Sequence, residues 1–189
     1  MRIICWQSLI AVRLSVKMRV RLLKGIALSL LLWLFFSCGY KGGEEARIGS
    51  TAPHFQYQDM NTRKGSLQEL KGKVVLLRFW ANWCPYCKFE MPRIDRFYQL
   101  FRNQGFEVIA VNVGDSVEIV EAFTAEMNLH FPMILDPEGK LARSYGVKGI
   151  PTNFLIDRQG MIREIIVGEV FTNDQVLWDL FKPYFSKAS

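Results

Sequence analysis

Cys84 and Cys87 stand three positions apart in the stretch Trp80-Ala81-Asn82-Trp83-Cys84-Pro85-Tyr86-Cys87-Lys88-Phe89-Glu90. A thiol becomes a nucleophile when its thiolate form is favoured, and a second thiol within reach can resolve the mixed disulfide that results. The flanks place the pair where a strand passes into a helix. Upstream, the apolar run from Val74 to Trp80 reads as a buried strand. Downstream, Cys87, Met91, Ile94, Tyr98 and Phe101 recur at three- and four-residue steps, the helical period. Cys84 then falls at the helix start, beside unpaired N–H groups and the positive end of the helix dipole. Cys87 lies one turn inside. Cys84 is therefore expected as the exposed nucleophile and Cys87 as the inward-facing resolver.

A Cys-x-x-Cys pair is also half of a structural zinc site, which takes about four ligands. The other cysteines are Cys5 and Cys38, both in the N-terminal segment. The two histidines, His54 and His130, have no second ligand beside them in the chain. Redox chemistry is the expectation, with no metal and no cofactor.

Phe79-Trp80-Ala81-Asn82-Trp83 before the pair and Glu90 after it resemble the thioredoxin superfamily. Within it they are similar to the TlpA/ResA/DsbE branch of membrane-tethered, extracytoplasmic thiol-disulfide oxidoreductases. Cys-Pro-Tyr-Cys alone is also what glutaredoxins carry, but glutaredoxins lack the extra helix and strand that this branch carries after the second core strand. The resemblance runs from about Ile48 to the C-terminus. It implies an α/β thioredoxin fold with an N-terminal β extension and a central αβ insert. It implies Cys84 and Cys87 as the redox-active disulfide, and a cis-proline facing them. Pro151, followed by Thr152, matches that proline, with the Ile150 backbone presented to an extended substrate. Trp83 either shields Cys84 and offers a contact surface, or packs beside the helix start. Glu90 either tunes the pair and handles a proton, or is a solvated helix residue; the resemblance favours the first. Asp115 matches a second acidic position in some members.

The branch works mostly as reductants that keep the Cys-x-x-Cys-His haem sites of apocytochrome c reduced, fed by a membrane thiol-disulfide electron donor. The resemblance implies that role, a general extracytoplasmic reductant being the near neighbour, and a monomer acting on protein disulfides. Two other classes stay open. A peroxiredoxin-like peroxide reductase would carry its cysteine in a Thr-x-x-Cys context that this chain lacks. A copper-delivery module of the Sco type would need a wider cysteine spacing and His130 as a ligand.

The chain has 189 residues and a formal net charge of +6. Residues 1–37 hold Arg2, Arg13, Lys17, Arg19, Arg21 and Lys24 and no acid. Of 24 basic residues 18 therefore remain from Cys38 onward, against 18 acidic ones. That balance removes the case for a nucleic-acid partner. The basic residues precede an apolar run from Gly25 to Phe36, shorter than the about twenty residues of a membrane span and suited to a signal-peptide core. Residues 1–37 read as a signal peptide, of lipoprotein type or an uncleaved anchor, with 1–17 upstream of a second candidate start at Met18. Ser37-Cys38-Gly39 resembles a lipoprotein cleavage site with Cys38 lipidated. Residues 38–47 read as a tether. Either version holds the domain at a membrane of the bacterial cell envelope, facing the periplasm or extracytoplasmic space.

Residues 48–189 form one thioredoxin-like domain by this reading. An edge strand or hairpin is expected over 48–61, with a second short strand near Gly65-Ser66-Leu67 and a turn at Glu69–Gly72. The central strand is Val74 to Phe79, the first helix Pro85 to Asn103 with a kink at Pro92, and the next strand Phe106 to Val113. The helix Ser116 to Met127 and strand Phe131 to Leu135 form the insert. A short helix from Lys140 to Tyr145, strands at Asn153–Asp157 and Met161–Val167, and a helix from about Thr172 that Pro183 ends complete the pattern. In that last helix Val176, Leu177, Leu180 and Phe181 form the inner face. Arg78, inside the central strand, stands where thioredoxins bury an Asp and this branch often has Asn. Its head is expected to snorkel to the surface; the alternative puts its charge under the disulfide.

Overall fold

The computed structural model describes residues 46–185. The segment read as a signal peptide, Cys38, nearly all of the segment read as a tether and the last four residues lie outside the described residues. Among the described residues no helix is long and apolar enough to cross a membrane.

The apolar run forms strand β3, Val74–Trp80, with every residue buried. A strand can be apolar on both faces only when both faces are covered, and β3 is the centre of a five-stranded sheet. On one side it pairs in parallel with β4, Phe106–Val113, and β4 pairs in parallel with β5, Met133–Asp136. On the other it pairs antiparallel with β6, Thr152–Ile156, which pairs antiparallel with β7, Ile162–Val167. The order β5-β4-β3-β6-β7, with helices on both faces, is the thioredoxin fold the sequence implied.

Alternate residues of β3 build two cores. Val74, Leu76 and Trp80 face the helices α1, Pro85–Phe101, α2, Val117–Glu126, and α4, Asp174–Phe185. Phe97 of α1, Phe106 of β4 and Phe181 of α4 meet there with ring centroids 4.9–5.6 Å apart. Burying a ring the size of the fully covered Phe181 contributes about 1.5–3 kcal/mol. Val75, Leu77 and Phe79 face the other way, against α3, Lys140–Ser144, and the N-terminal segment. Tyr145 closes that side; its hydroxyl donates to the Pro53 carbonyl at 2.6 Å, and burial pushes its pKa up.

The N-terminal extension is a hairpin of β1, Gln56–Gln58, and β2, Lys64–Ser66. A 3-10 helix over Leu67–Leu70 follows it, its first N–H groups satisfied by the capping box of Ser66 and Glu69, and the expected turn completes at Lys71-Gly72. The insert is α2 plus β5, as expected. Helix α1 passes through Pro92 and tightens into a 3-10 turn over Arg102–Gln104, stopped by Gly105 at φ 85°.

One boundary differs. Helix α4 continues through Pro183 to Phe185. The ring of Phe185 lies 5.2 Å from that of Phe101 and 6.0 Å from that of Phe106, so packing holds the last turn in place beyond the proline. Within α4, Leu177 and Phe181 are buried, while Val176 and Leu180 are half-buried.

Candidate functional site

The strand-to-helix junction places the cysteines as their spacing requires. Cys84 is the N-cap of α1, with Pro85 next at a position that needs no N–H partner. The Cys87 N–H donates to Cys84 Sγ at 3.2 Å, so the sulfur takes one of the helix's unpaired donors. The two sulfurs form a disulfide. One expectation fails. Cys84 is only 2% exposed rather than open to solvent, and Cys87 is fully buried. The bond to the buried Cys87 draws the Cys84 sulfur inward, and both belong to the core cluster that includes Trp80 and Met91.

The Ile150-Pro151 bond is cis. Pro151 is buried at the head of β6. Its carbonyl accepts from Gly168 N at 2.8 Å, while the Thr152 hydroxyl donates to Gly149 O at 2.6 Å. Ile150 packs against the same cluster as the cysteines, so the fold brings Ile150 and the pair onto one core.

Trp83 is 68% exposed and available as a contact surface. The sequence reading missed its companions. Tyr86 and Phe89 follow at three-residue steps and are 53% and 57% exposed. Three large aromatic side chains left in water around a buried disulfide form an apolar surface beside it. Their spacing from Trp83 was the available signal. Phe89 also carries the Arg93 guanidinium 5.1 Å from its ring centroid.

Beneath the helix the expectation for Arg78 is corrected, and of the two readings of Glu90 the solvated one falls away. Arg78 does not snorkel; both side chains have zero exposure, and Arg78 Nη2 donates to Glu90 Oε2 at 2.8 Å. Arg78 Nη1 donates to Asn153 Oδ1 at 2.8 Å, and its Nε is buried without a partner among the described residues. Glu90 Oε1 accepts from Val170 N and Phe171 N at 2.7 and 2.6 Å. Glu90 is therefore no solvated helix residue; its carboxylate joins β3, α1 and the segment after β7. Burial pulls the Arg78 pKa down, and the Glu90 charge opposes that.

Asp115 does not touch the sulfurs through any of its hydrogen bonds. Its Oδ2 accepts from Asn82 N at 2.6 Å and from Asn112 Nδ2 at 2.7 Å, which clasps the loop before Cys84 to the end of β4. His130 pairs with the buried Asp95 at 2.9 Å and His54 is exposed. Among the described residues no group of three or more His, Cys, Asp or Glu side chains could hold a metal ion. Cys38 lies outside the described residues.

A family model described as the AhpC/TSA family matches residues 48–165. The thiol-disulfide oxidoreductase ResA of Geobacillus thermodenitrificans (strain NG80-2) is 40% identical over 127 residues, 67% of this chain and 73% of that one. ResA of Bacillus subtilis (strain 168) is 37% identical over 155 residues, 80% of this chain and 87% of that one. Among solved structures, a Chlorobium tepidum protein assigned as thiol:disulfide interchange protein DsbE aligns with a TM-score of 0.70 at 32% identity. The match covers 75% of this chain and 100% of that one.

Proposed function

The chain belongs to the AhpC/TSA family within the thioredoxin superfamily and is a thiol-disulfide oxidoreductase; from that premise we propose that it reduces protein disulfides outside the cytoplasm while held at a membrane. The substrate class is the Cys-x-x-Cys-His haem site of apocytochrome c, and the electron donor is a membrane thiol-disulfide carrier. The observation that carries the reading is the Cys84–Cys87 disulfide at the N-terminus of α1, next to an exposed aromatic surface that suits a polypeptide substrate.

In the reduced protein the Cys84 thiolate attacks one sulfur of the substrate disulfide. A mixed disulfide forms and the other substrate sulfur leaves as a thiolate, which takes a proton. Cys87 then gives up its proton and attacks Cys84 Sγ. The Cys84–Cys87 bond closes and the second substrate sulfur leaves. Two electrons have passed to the substrate; Cys87 accounts for one proton, and the second substrate sulfur leaves as a thiolate that takes its proton from solvent. The helix N-terminus favours Cys84 as the attacking sulfur, because the Cys87 N–H points at it. The membrane thiol-disulfide carrier would then reduce the Cys84–Cys87 bond by the same exchange, its own dithiol becoming a disulfide.

The test of direction is the reduction potential of the Cys84–Cys87 pair, measured by equilibration with thiol buffers. A reductant should lie near about −270 mV, the thioredoxin range; a value near about −120 mV, the range of DsbA, would overturn this reading in favour of an oxidant.

Tethering rests on the sequence around Cys38. Cells expressing the chain should incorporate radiolabelled palmitate into it, and Cys38→Ala should lose the label. A label that persists in Cys38→Ala, or never enters the wild type, would leave an uncleaved anchor as the tether.

A further inference from the structure

A buried ion pair is a costly way to fill space. Removing two charges from water costs several kcal/mol per ion, and apolar residues of similar volume often serve as well or better. This protein nevertheless places Arg78 and Glu90 at zero exposure, with one guanidinium nitrogen lacking an acceptor among the described residues. The position of the pair is informative. Glu90 is three residues after Cys87 on α1, and both are fully buried, so they share the inward face of adjacent turns. Arg78 lies opposite Asn153 in the β3–β6 register, two residues beyond Pro151. The two charges therefore tie the helix that carries the disulfide to β3 and to β6, the strand that follows Pro151.

We propose that Arg78 is a positioning and charge-compensating residue for the thiol chemistry: it presents the cysteines with a neutral pair in place of a lone buried carboxylate. This rests on Cys84–Cys87 being the redox pair. A buried carboxylate alone, one turn from Cys87 and nearly two from Cys84, would disfavour thiolate and slow attack. A guanidinium alone would favour thiolate and stabilise the reduced form. Together they leave the helix N-terminus to set thiol reactivity. Other charges on the surrounding segments are less able to act. Lys88 on α1, Lys148 before Pro151 and Glu169 after β7 are exposed, Arg93 on α1 is half-buried but spends its guanidinium on the Phe171 carbonyl and Asp174, and Asp115 after β4 accepts two N–H bonds. Lys88 Nζ lies 6.0 Å from the Phe123 ring centroid of α2.

The test is the pH dependence of Cys84 alkylation in the reduced full-length chain, read on the Cys84 peptide by mass spectrometry. Arg78→Met leaves Glu90 uncompensated and should raise the midpoint by about one pH unit. Glu90→Gln leaves Arg78 uncompensated and should lower it by about as much. The double variant should return close to wild type. A purely structural pair would move both single variants the same way, or neither, and either result overturns the proposal. If Arg78→Met does not fold, adding that change to Glu90→Gln carries the same information: the midpoint should rise, and a fixed midpoint overturns the proposal. The readout needs no protein substrate, so an error in the substrate assigned above would leave it untouched.

Discussion

Cys87→Ala should accumulate covalent complexes with its substrate proteins through Cys84, stable until an external thiol is added. Multiple turnover should fall to the background of uncatalysed exchange. The reason is the order of steps set by position on α1. Cys84 is the N-cap and receives the Cys87 N–H, while Cys87 is one turn inside with no exposure. Without the second sulfur the mixed disulfide has no internal route to resolution. Cys84→Ala should trap almost nothing, although Cys87 remains. Equal trapping by the two variants would show that the sulfurs are interchangeable and would remove the basis for the assigned order. Mass spectrometry of the complexes would also identify substrates, and cytochrome Cys-x-x-Cys-His peptides among them would support the haem-maturation role.

The second large effect is on stability. Glu90→Ala removes the acceptor of three donors, the buried Arg78 Nη2 and Phe171 N–H and the half-buried Val170 N–H. It also leaves a guanidinium uncompensated in the core. Breaking a buried ion pair from one side costs about 3–5 kcal/mol, a large part of the stability of an ordinary domain. The midpoint of urea unfolding should drop accordingly. Arg78→Met combined with Glu90→Leu should recover much of the loss, because no charge is then stranded. A single variant as stable as wild type would mean that water reaches the cluster and that its burial does not persist in solution.

The sequence made some of this legible and hid the rest for physical reasons. The central strand, the first helix and the insert announce themselves by apolar runs and helical period, which depend on neighbours within one element. The cysteines and Pro151 are legible through their local motifs. Arg78 was not. A lone basic residue in an apolar run carries no sign of where its head goes, and its partner lies twelve residues on, in another element. Glu90 was noticed for its place on the helix, but its acceptor role depends on Val170 and Phe171, about eighty residues away. The run of α4 past Pro183 depends likewise on rings from α1 and β4. Cys84 was expected in solvent because a helix start is usually open; the bond to Cys87 and the surrounding core decide otherwise.

The N-terminal extension touches both borders of the sheet. Thr51 bridges to Met161, and the Ser50 carbonyl and Gly49 N–H both bond Ile162, at the outer side of β7. Asp59 bridges to Ile134, and Met60 N donates to Met133 O, at the outer side of β5. Border strands with unpaired backbone groups are templates on which another chain can add. A segment of about a dozen residues thus blocks part of both templates on a sheet that, among the described residues, is otherwise open at each end. Its hairpin is remote from the sulfurs in sequence, yet it bears on colloidal behaviour: a chain beginning after Lys71 would keep its cysteines and offer two sticky borders to its own copies.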